Sequence, residues 1–323
     1  MTAWPARTMM RWLSPGGKRG RLSVLIYHRV HAQPDPLFPG EVDAARFARQ
    51  MGLVSQLFQV LPLPEAVRRL RTGTLPPRAA CITFDDGYAD NADVALPILQ
   101  HYAVPATFFI ASAYLDGGRM WNDTVIEAVR ASTGGELDLT SIGLGCHPVG
   151  TVVQKRHAIM ALITRLKYLP EEQRTALVER VVEAASVRLP AELMLRSEQV
   201  RTLHRAGMTI GGHTATHPIL ARVAAEAALR NIMEGKARLE EIIAEPLRVF
   251  AYPNGKPDED YLAEHVAMVR AAGFEAAVST AWGVATTAAD PYQLPRFTPW
   301  DRSDGRFVLR LARNLVRNHA AAV

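Results

Sequence analysis

The chain has 323 residues, 48% of them hydrophobic and 21% charged, which is material for one large α/β domain or two ordinary ones and excludes an intrinsically disordered chain. Lys and Arg outnumber Asp and Glu by 37 to 32, a net charge of +5; the excess is dispersed, gathers mainly at the two ends, and comes with no nucleic-acid-binding motif. Two cysteines, Cys81 and Cys146, exclude a disulfide framework and a cysteine-based zinc site.

Residues 1–21 read as a flexible leader ending in a Gly/Lys/Arg stretch. They lack the continuous apolar core of a secretory signal, and no run in the chain reaches the roughly 18 apolar residues of a membrane span. A cytoplasmic protein is the expectation. The basic-apolar start (Trp4, Met9, Met10, Trp12 and Leu13 among Arg and Lys) gives peripheral contact with the inner face of a membrane as the alternative.

Short apolar runs follow. Strands are expected at Leu22–Tyr27, Ala79–Phe84, Ala106–Ile110, Met208–Gly211, Leu247–Ala251, Glu275–Ser279 and Gln293–Phe297. Amphipathic helices are expected between them at Ala44–Leu57, Ala92–His101, Ala224–Ala244 and Asp260–Ala272, the first N-capped by Asp43. This alternation implies parallel βαβ units, and about seven strands suggest a closed or nearly closed barrel. No GxGxxG follows the first strand, which argues against a dinucleotide fold. Residues of about 120–196 are too long for one βα connection; they read as a helical insertion with a Gly- and Pro-containing middle at Thr133–Gly150. The barrel thus covers 22–300, and residues 301–323 hold a basic amphipathic helix, Phe307–Asn318, whose apolar side closes the barrel.

Three segments at strand ends carry chemistry. In Ile82-Thr83-Phe84-Asp85-Asp86-Gly87-Tyr88 a strand runs into two adjacent carboxylates. Adjacent residues point to different sides, so one can ligate a metal while the other faces the reacting atom. A plain Asp-Gly turn competes with that reading on even terms. In Ile210-Gly211-Gly212-His213-Thr214-Ala215-Thr216-His217-Pro218 two histidines at i and i+4 share one face of a helical turn, within reach of one divalent ion. One Asp and two His leave coordination positions open for water and substrate. Val249-Phe250-Ala251-Tyr252-Pro253-Asn254-Gly255 ends in a turn that can aim a backbone N–H into a cavity, although alone it reads as an ordinary loop.

Together, and in this order, TFDDGY, HTATHP and FAYPNG resemble the polysaccharide deacetylase family, the chitooligosaccharide deacetylase-like carbohydrate esterases of family four. The resemblance covers roughly residues 22–300. It implies a distorted (β/α) barrel, usually of seven strands, with the active site at the C-terminal strand ends. It also implies Asp85 as general base and Asp86, His213 and His217 as ligands of a divalent metal, most commonly zinc. The backbone N–H of Asn254 becomes the oxyanion donor, and Tyr252 and Pro253 become substrate contacts.

Two departures from the family pattern stand out. Ala251 occupies the position of an arginine that usually tethers the base; a subgroup with a late Leu-Pro-Arg, here Leu294-Pro295-Arg296, suggests Arg296 as the replacement tether. The late histidine that usually serves as general acid is missing, which leaves that role unassigned. His28, at the end of the first strand, and Trp121, at the start of the insertion, are further substrate-contact candidates, each with an ordinary packing role as its alternative. Trp282 and Trp300 carry the same ambiguity.

The expected activity is hydrolytic removal of N-acetyl groups, releasing acetate, from a glycan or lipid-linked sugar met during synthesis of an exported exopolysaccharide. An O-acetyl esterase and an inactive glycan-binding module are the alternatives; the intact Asp-Asp and His-His pairs argue against the latter. The sequence sets no oligomeric state.

Overall fold

The computed structural model describes residues 3–317 and 322–323, so the Trp4 side chain and Asn318 named above lie outside it. In chain order the elements are α1 (Ala3–Leu13), β1 (Leu22–Tyr27), α2 (Ala44–Leu57), β2 (Gln59–Val60), α3 (Leu63–Arg71), β3 (Ala79–Phe84), α4 (Leu96–His101), β4 (Ala106–Ile110), α5 (Trp121–Ala131), β5 (Glu136–Leu139), β6 (Gly145–Pro148), α6 (Val152–Leu166), α7 (Glu171–Ala185), α8 (Ser197–Arg205), β7 (Thr209–Gly212), α9 (Ala225–Ile243), β8 (Val249–Ala251), α10 (Ala263–Ala271), β9 (Ala276–Trp282), β10 (Leu294–Arg296) and α11 (Asp304–Leu315).

Strands β1 and β3 are mainly apolar because both of their faces are buried, with one buried hydroxyl in each, Ser23 and Thr83. One parity of residues, including Val24, Cys81, Phe109, Ala251 and Val278, fills the barrel interior. The other, including Tyr27, Phe84, Phe108, Phe250 and Ala277, packs outward under the helices. Seven parallel strands run in the order β1-β3-β4-β7-β8-β9-β10, and β2 adds a short pairing beside β3. The ring is nearly closed where Phe297, just past β10, bonds β1: Ile26 N–H donates to the Phe297 carbonyl at 3.0 Å, and Phe297 N–H donates to that of Val24 at 2.7 Å. The seam between β7 and β8 is thin, with only Gly212 paired to Phe250. The distorted (β/α) barrel expected from the sequence is the observed fold. Asp43 caps α2 as expected, accepting from Arg46 N–H at 2.9 Å.

Three expectations change. The middle of the insertion is a β-hairpin, β5 against β6, rather than helix or loop. Glu136-Leu137-Asp138-Leu139 alternates exposed with buried, a period-two signal too short to stand out beside long helices. The insertion has its own core, in which Val125, Val129, Leu137, Leu139, Leu162 and Val181 pack together. The supposed leader begins with helix α1, and Met10 is fully buried against the core shared with α2 and α11. The C-terminal helix spans Asp304–Leu315, with Phe307, Leu311 and Leu315 turned inward.

Gly211 lies within β7 and serves close packing rather than a turn. A Cβ built there would stand 2.5 Å from the Phe109 ring and 3.0 Å from the Val249 carbonyl oxygen. Gly211→Ala is therefore expected to lower stability by roughly 1–3 kcal/mol through overpacking, measured as a shift in the denaturant midpoint at unchanged slope. An unshifted midpoint would show that the ring moves aside freely.

Candidate active site

The C-terminal ends of the strands bring residues from all three sequence motifs to one cavity of about 250 Å³. Asp85, Asp86, His213, His217, Asn254 and His28 all line it.

Asp85 continues the inward parity of Cys81 and Thr83 and is 3% exposed. Arg296, 1% exposed, reaches it from β10 and grips both carboxylate oxygens, Nη1 to Oδ1 and Nη2 to Oδ2, each at 2.7 Å. The arginine is itself held by its Nε donating to the Ser279 carbonyl at 2.8 Å. Burial alone would raise the Asp85 carboxyl, but Arg296, then His213, more than offset it and hold the group below its usual range. Arg296, from the late Leu-Pro-Arg, thus makes direct contact with Asp85.

Asp86, His213 and His217 present ligand atoms that all lie within 4.8 Å of one another. Each imidazole Nε2 is 3.4 Å from Asp86 Oδ1. His213 donates Nδ1–H to the Ala251 carbonyl at 2.7 Å, which leaves Nε2 as the free ligand nitrogen. Ala251, where the family usually carries arginine, therefore serves through its backbone. Burial presses His217 down to about 4, so it stays neutral, the form a metal requires. Burial would raise Asp86 too, but the two imidazoles more than offset it and hold its carboxyl well below the usual range. One carboxylate and two neutral-capable imidazoles form a donor set suited to a divalent ion.

The two histidines do not sit on a helical turn. Residues 213–219 are irregular, with Thr214 at φ 63° and His217 at φ 53°. The rings meet at 4.7 Å between centroids because these left-handed residues fold the loop back on itself. Asp86 (φ 76°) and Asn254 (φ 58°) share that conformation. The Asn254 backbone N–H has no hydrogen-bond partner among the described residues, and the turn is braced by Thr280, whose hydroxyl donates to the Asn254 carbonyl at 2.9 Å.

Two expected substrate contacts do not reach the cavity. Tyr252 has the outward parity of Phe250 and is fully buried, its ring stacked on Tyr261 at 3.9 Å and 7°. Pro253 is buried beside it and does not line the cavity. Trp121 does line it, but Arg174 covers one face of the indole at 5.2 Å. Trp282 is occupied by Arg310 and Arg317, and Trp300 lies exposed beside a neighbouring groove. His28 is exposed at the cavity mouth.

Sequence reasoning missed Thr280 and the insertion residues Met120, Asn122, Ile163, Lys167 and Arg174. Thr280 was available from parity, two residues beyond inward Val278; the others depend on how the insertion folds over the barrel. Nearby, Tyr88 donates its hydroxyl to Asp123 at 3.2 Å, and burial, then the Asp86 carboxylate, push the Asp123 carboxyl up to about 7.

With this geometry in place, a family model described as polysaccharide deacetylase matches residues 72–138 and 151–277. The chain belongs to the polysaccharide deacetylase family. That membership also gives the enzyme class, a deacetylase acting on polysaccharide, and the gap in the match falls within the insertion. No curated protein matches the sequence. Among solved structures, the chain is similar to the Streptococcus pyogenes deacetylase PplD in complex with acetate, at 18% identity and TM-score 0.61, over 90% of this chain and 98% of that one. It is similar to IcaB from Ammonifex degensii at 18% and 0.58, over 94% and 98%. A de-N-acetylase from Aggregatibacter actinomycetemcomitans matches at 17% and 0.57, over 90% and 99%. At these identities the likeness carries the fold of the deacetylase, and the site stands on its own geometry.

Removing the guanidinium leaves a buried carboxylate unpaired. Arg296→Gln is expected to destabilise the deacetylase by about 3–5 kcal/mol, and adding Asp85→Asn should restore part of that loss because no buried charge then remains. A double-mutant cycle on unfolding free energies checks this; additive effects would mean that the pair is not coupled.

Proposed function

We propose that the protein is a metal-dependent N-deacetylase that removes acetyl groups from an N-acetylated glycan or lipid-linked sugar and releases acetate. One observation carries this reading: a buried, tethered carboxylate stands beside an Asp-His-His cluster in the same cavity. Asp86, His213 and His217 would hold the ion, and zinc suits a set of two imidazoles and one carboxylate. When bound, such an ion supplies Lewis acidity toward a water and an amide carbonyl.

The chain's own groups do the rest. Asp85, kept ionised by Arg296, accepts the proton of the attacking water. Its two oxygens are already engaged by the guanidinium, so its orientation is fixed before substrate arrives. The unpartnered N–H of Asn254 donates to the oxygen that gains negative charge as the amide carbon becomes tetrahedral. The proton accepted by Asp85 is then available to the departing sugar amine, so a separate histidine acid is not required for the proton balance. A binding module with no activity has no use for a buried ionised carboxylate placed beside a ligand cluster, because burying charge is costly.

Acetate release from N-acetylated oligosaccharides and lipid-linked sugars, with and without chelator, tests the reading. Chelation should abolish release and added zinc should restore it; chelator-resistant turnover would rule out metal dependence. His213→Ala should lose both bound metal and activity. Asp85→Asn should keep the metal but lose turnover by a factor of roughly 100 or more. Faster release from an O-acetylated than from an N-acetylated glycan would turn the assignment to an esterase.

A further inference from the structure

The cavity has a floor and a roof of different character. The floor is the barrel, with Asp85, Asp86, the two histidines, Asn254 and Thr280. The roof is the insertion, and it contributes two cations, Lys167 at the end of α6 and Arg174 in the first turns of α7. Both are half-buried.

Neither cation has a carboxylate partner among the described residues, although Glu171 stands three positions before Arg174 on the same helix. Lys167 feels the charge of Asp260 without pairing with it, and its ammonium lies 5.4 Å from the Tyr168 ring. Arg174 stacks on Trp121, which also lines the cavity, and its Nε is shielded from solvent with no hydrogen-bond partner. Among the described residues, the only carboxylates lining the cavity are Asp85 and Asp86. Asp85 is already neutralised by Arg296, and Asp86 faces the two imidazoles. The roof cations therefore face the cavity without an ion-paired carboxylate, held by packing in a confined space. An unsatisfied, partly desolvated donor is unfavourable, and it is relieved when a ligand brings the missing acceptor. A neutral N-acetylated sugar offers only uncharged acceptors; an anionic one offers charged oxygens matched to an ammonium and a planar guanidinium.

We infer that Lys167 and Arg174 read an anionic group, a phosphate ester or a carboxylate, carried by the sugar whose N-acetyl group enters the floor. This rests on the deacetylase reading and narrows it: the substrate is an acidic N-acetylated sugar rather than a neutral polymer. Stacked on Trp121, the guanidinium is oriented before binding, and the more flexible Lys167 adjusts to the anion.

Calorimetric binding of three probes tests this: N-acetylglucosamine 1-phosphate, an N-acetylated hexosaminuronate, and uncharged methyl N-acetylglucosaminide. The wild-type protein should bind at least one acidic probe about tenfold or more tightly than the neutral one, and the preference should weaken with added salt. The better acidic probe distinguishes phosphate from carboxylate. Lys167→Gln with Arg174→Gln should erase the preference, and Lys167→Arg with Arg174→Lys should retain it. If a variant fails to fold, the wild-type ratio alone decides. Equal binding of neutral and acidic probes, or a preference that survives the double Gln variant, would overturn the inference. Acetate release from neutral sugars without acid preference would overturn it while leaving the deacetylase standing. Acid-selective binding with no acetate release from any probe would do the reverse.

Discussion

The buried ion pair between Asp85 and Arg296 is the constraint on which the rest of the site depends. Taking a carboxylate and a guanidinium out of water is costly, and the pair is tolerable only because its geometry is two-pronged and the arginine is further satisfied by Ser279 and Thr83. That geometry requires β10 to lie next to β1, and β1 next to β3, so that a side chain from the last strand reaches the end of the third. The hydrogen bonds of Phe297 to β1, one residue past Arg296, are what fix that approach. Closure of the barrel and ionisation of the proposed base are thus one structural event. The family usually tethers the base from the position of Ala251, on β8; this chain does so from β10. Here the freed position, Ala251, gives its carbonyl to His213 instead.

The ligand cluster depends on a second kind of constraint, strain held in place by its surroundings. Asp86, Thr214, His217 and Asn254 all occupy the left-handed region that non-glycine residues avoid. Each is braced. Ala111 N–H donates to the Asp86 carbonyl at 3.2 Å, and the Thr214 hydroxyl accepts from His217 N–H at 3.0 Å. Asn231 accepts from the N–H groups of Ala215 and Thr216 at 2.9 Å each. Helix α9 can come this close only through Gly235, where a Cβ would stand 2.5 Å from the Thr214 carbonyl carbon. The histidines therefore owe their convergence to α9 and Asn231 as much as to their own spacing.

Much of this was legible in the sequence because it rests on period and local motif. The three longest strands that are buried on both faces, β1, β3 and β4, are read at their observed bounds, since a mainly apolar run of five or six residues has clear ends. Spacing brings His213 and His217 together correctly but for a mistaken reason, because i and i+4 suggests a helix where the chain folds a strained loop. Tyr252 was misjudged although strand parity held the answer: its neighbour Phe250 is core, and alternation sends both outward. The β5–β6 hairpin and the helix at Ala3–Leu13 were not legible, since four alternating residues and a basic start resemble loop and leader until tertiary packing buries Leu137, Leu139 and Met10.

Lys167 and Arg174 lie at the far end of that scale. Nothing local marks them, because each is one basic residue among many in an amphipathic segment. They enter the cavity only because the insertion's own core fixes α6 and α7 over the barrel mouth, with Val125 and Val129 of α5 packed against Leu162 and Val181. That separate core has a functional consequence. The barrel floor can keep its ion pair and strained loops unchanged while the roof is rebuilt, because the two are stabilised by different clusters of side chains. Chemistry and recognition are then set by different parts of the chain. The roof, rather than the motifs, is where an acidic sugar would be told from a neutral one.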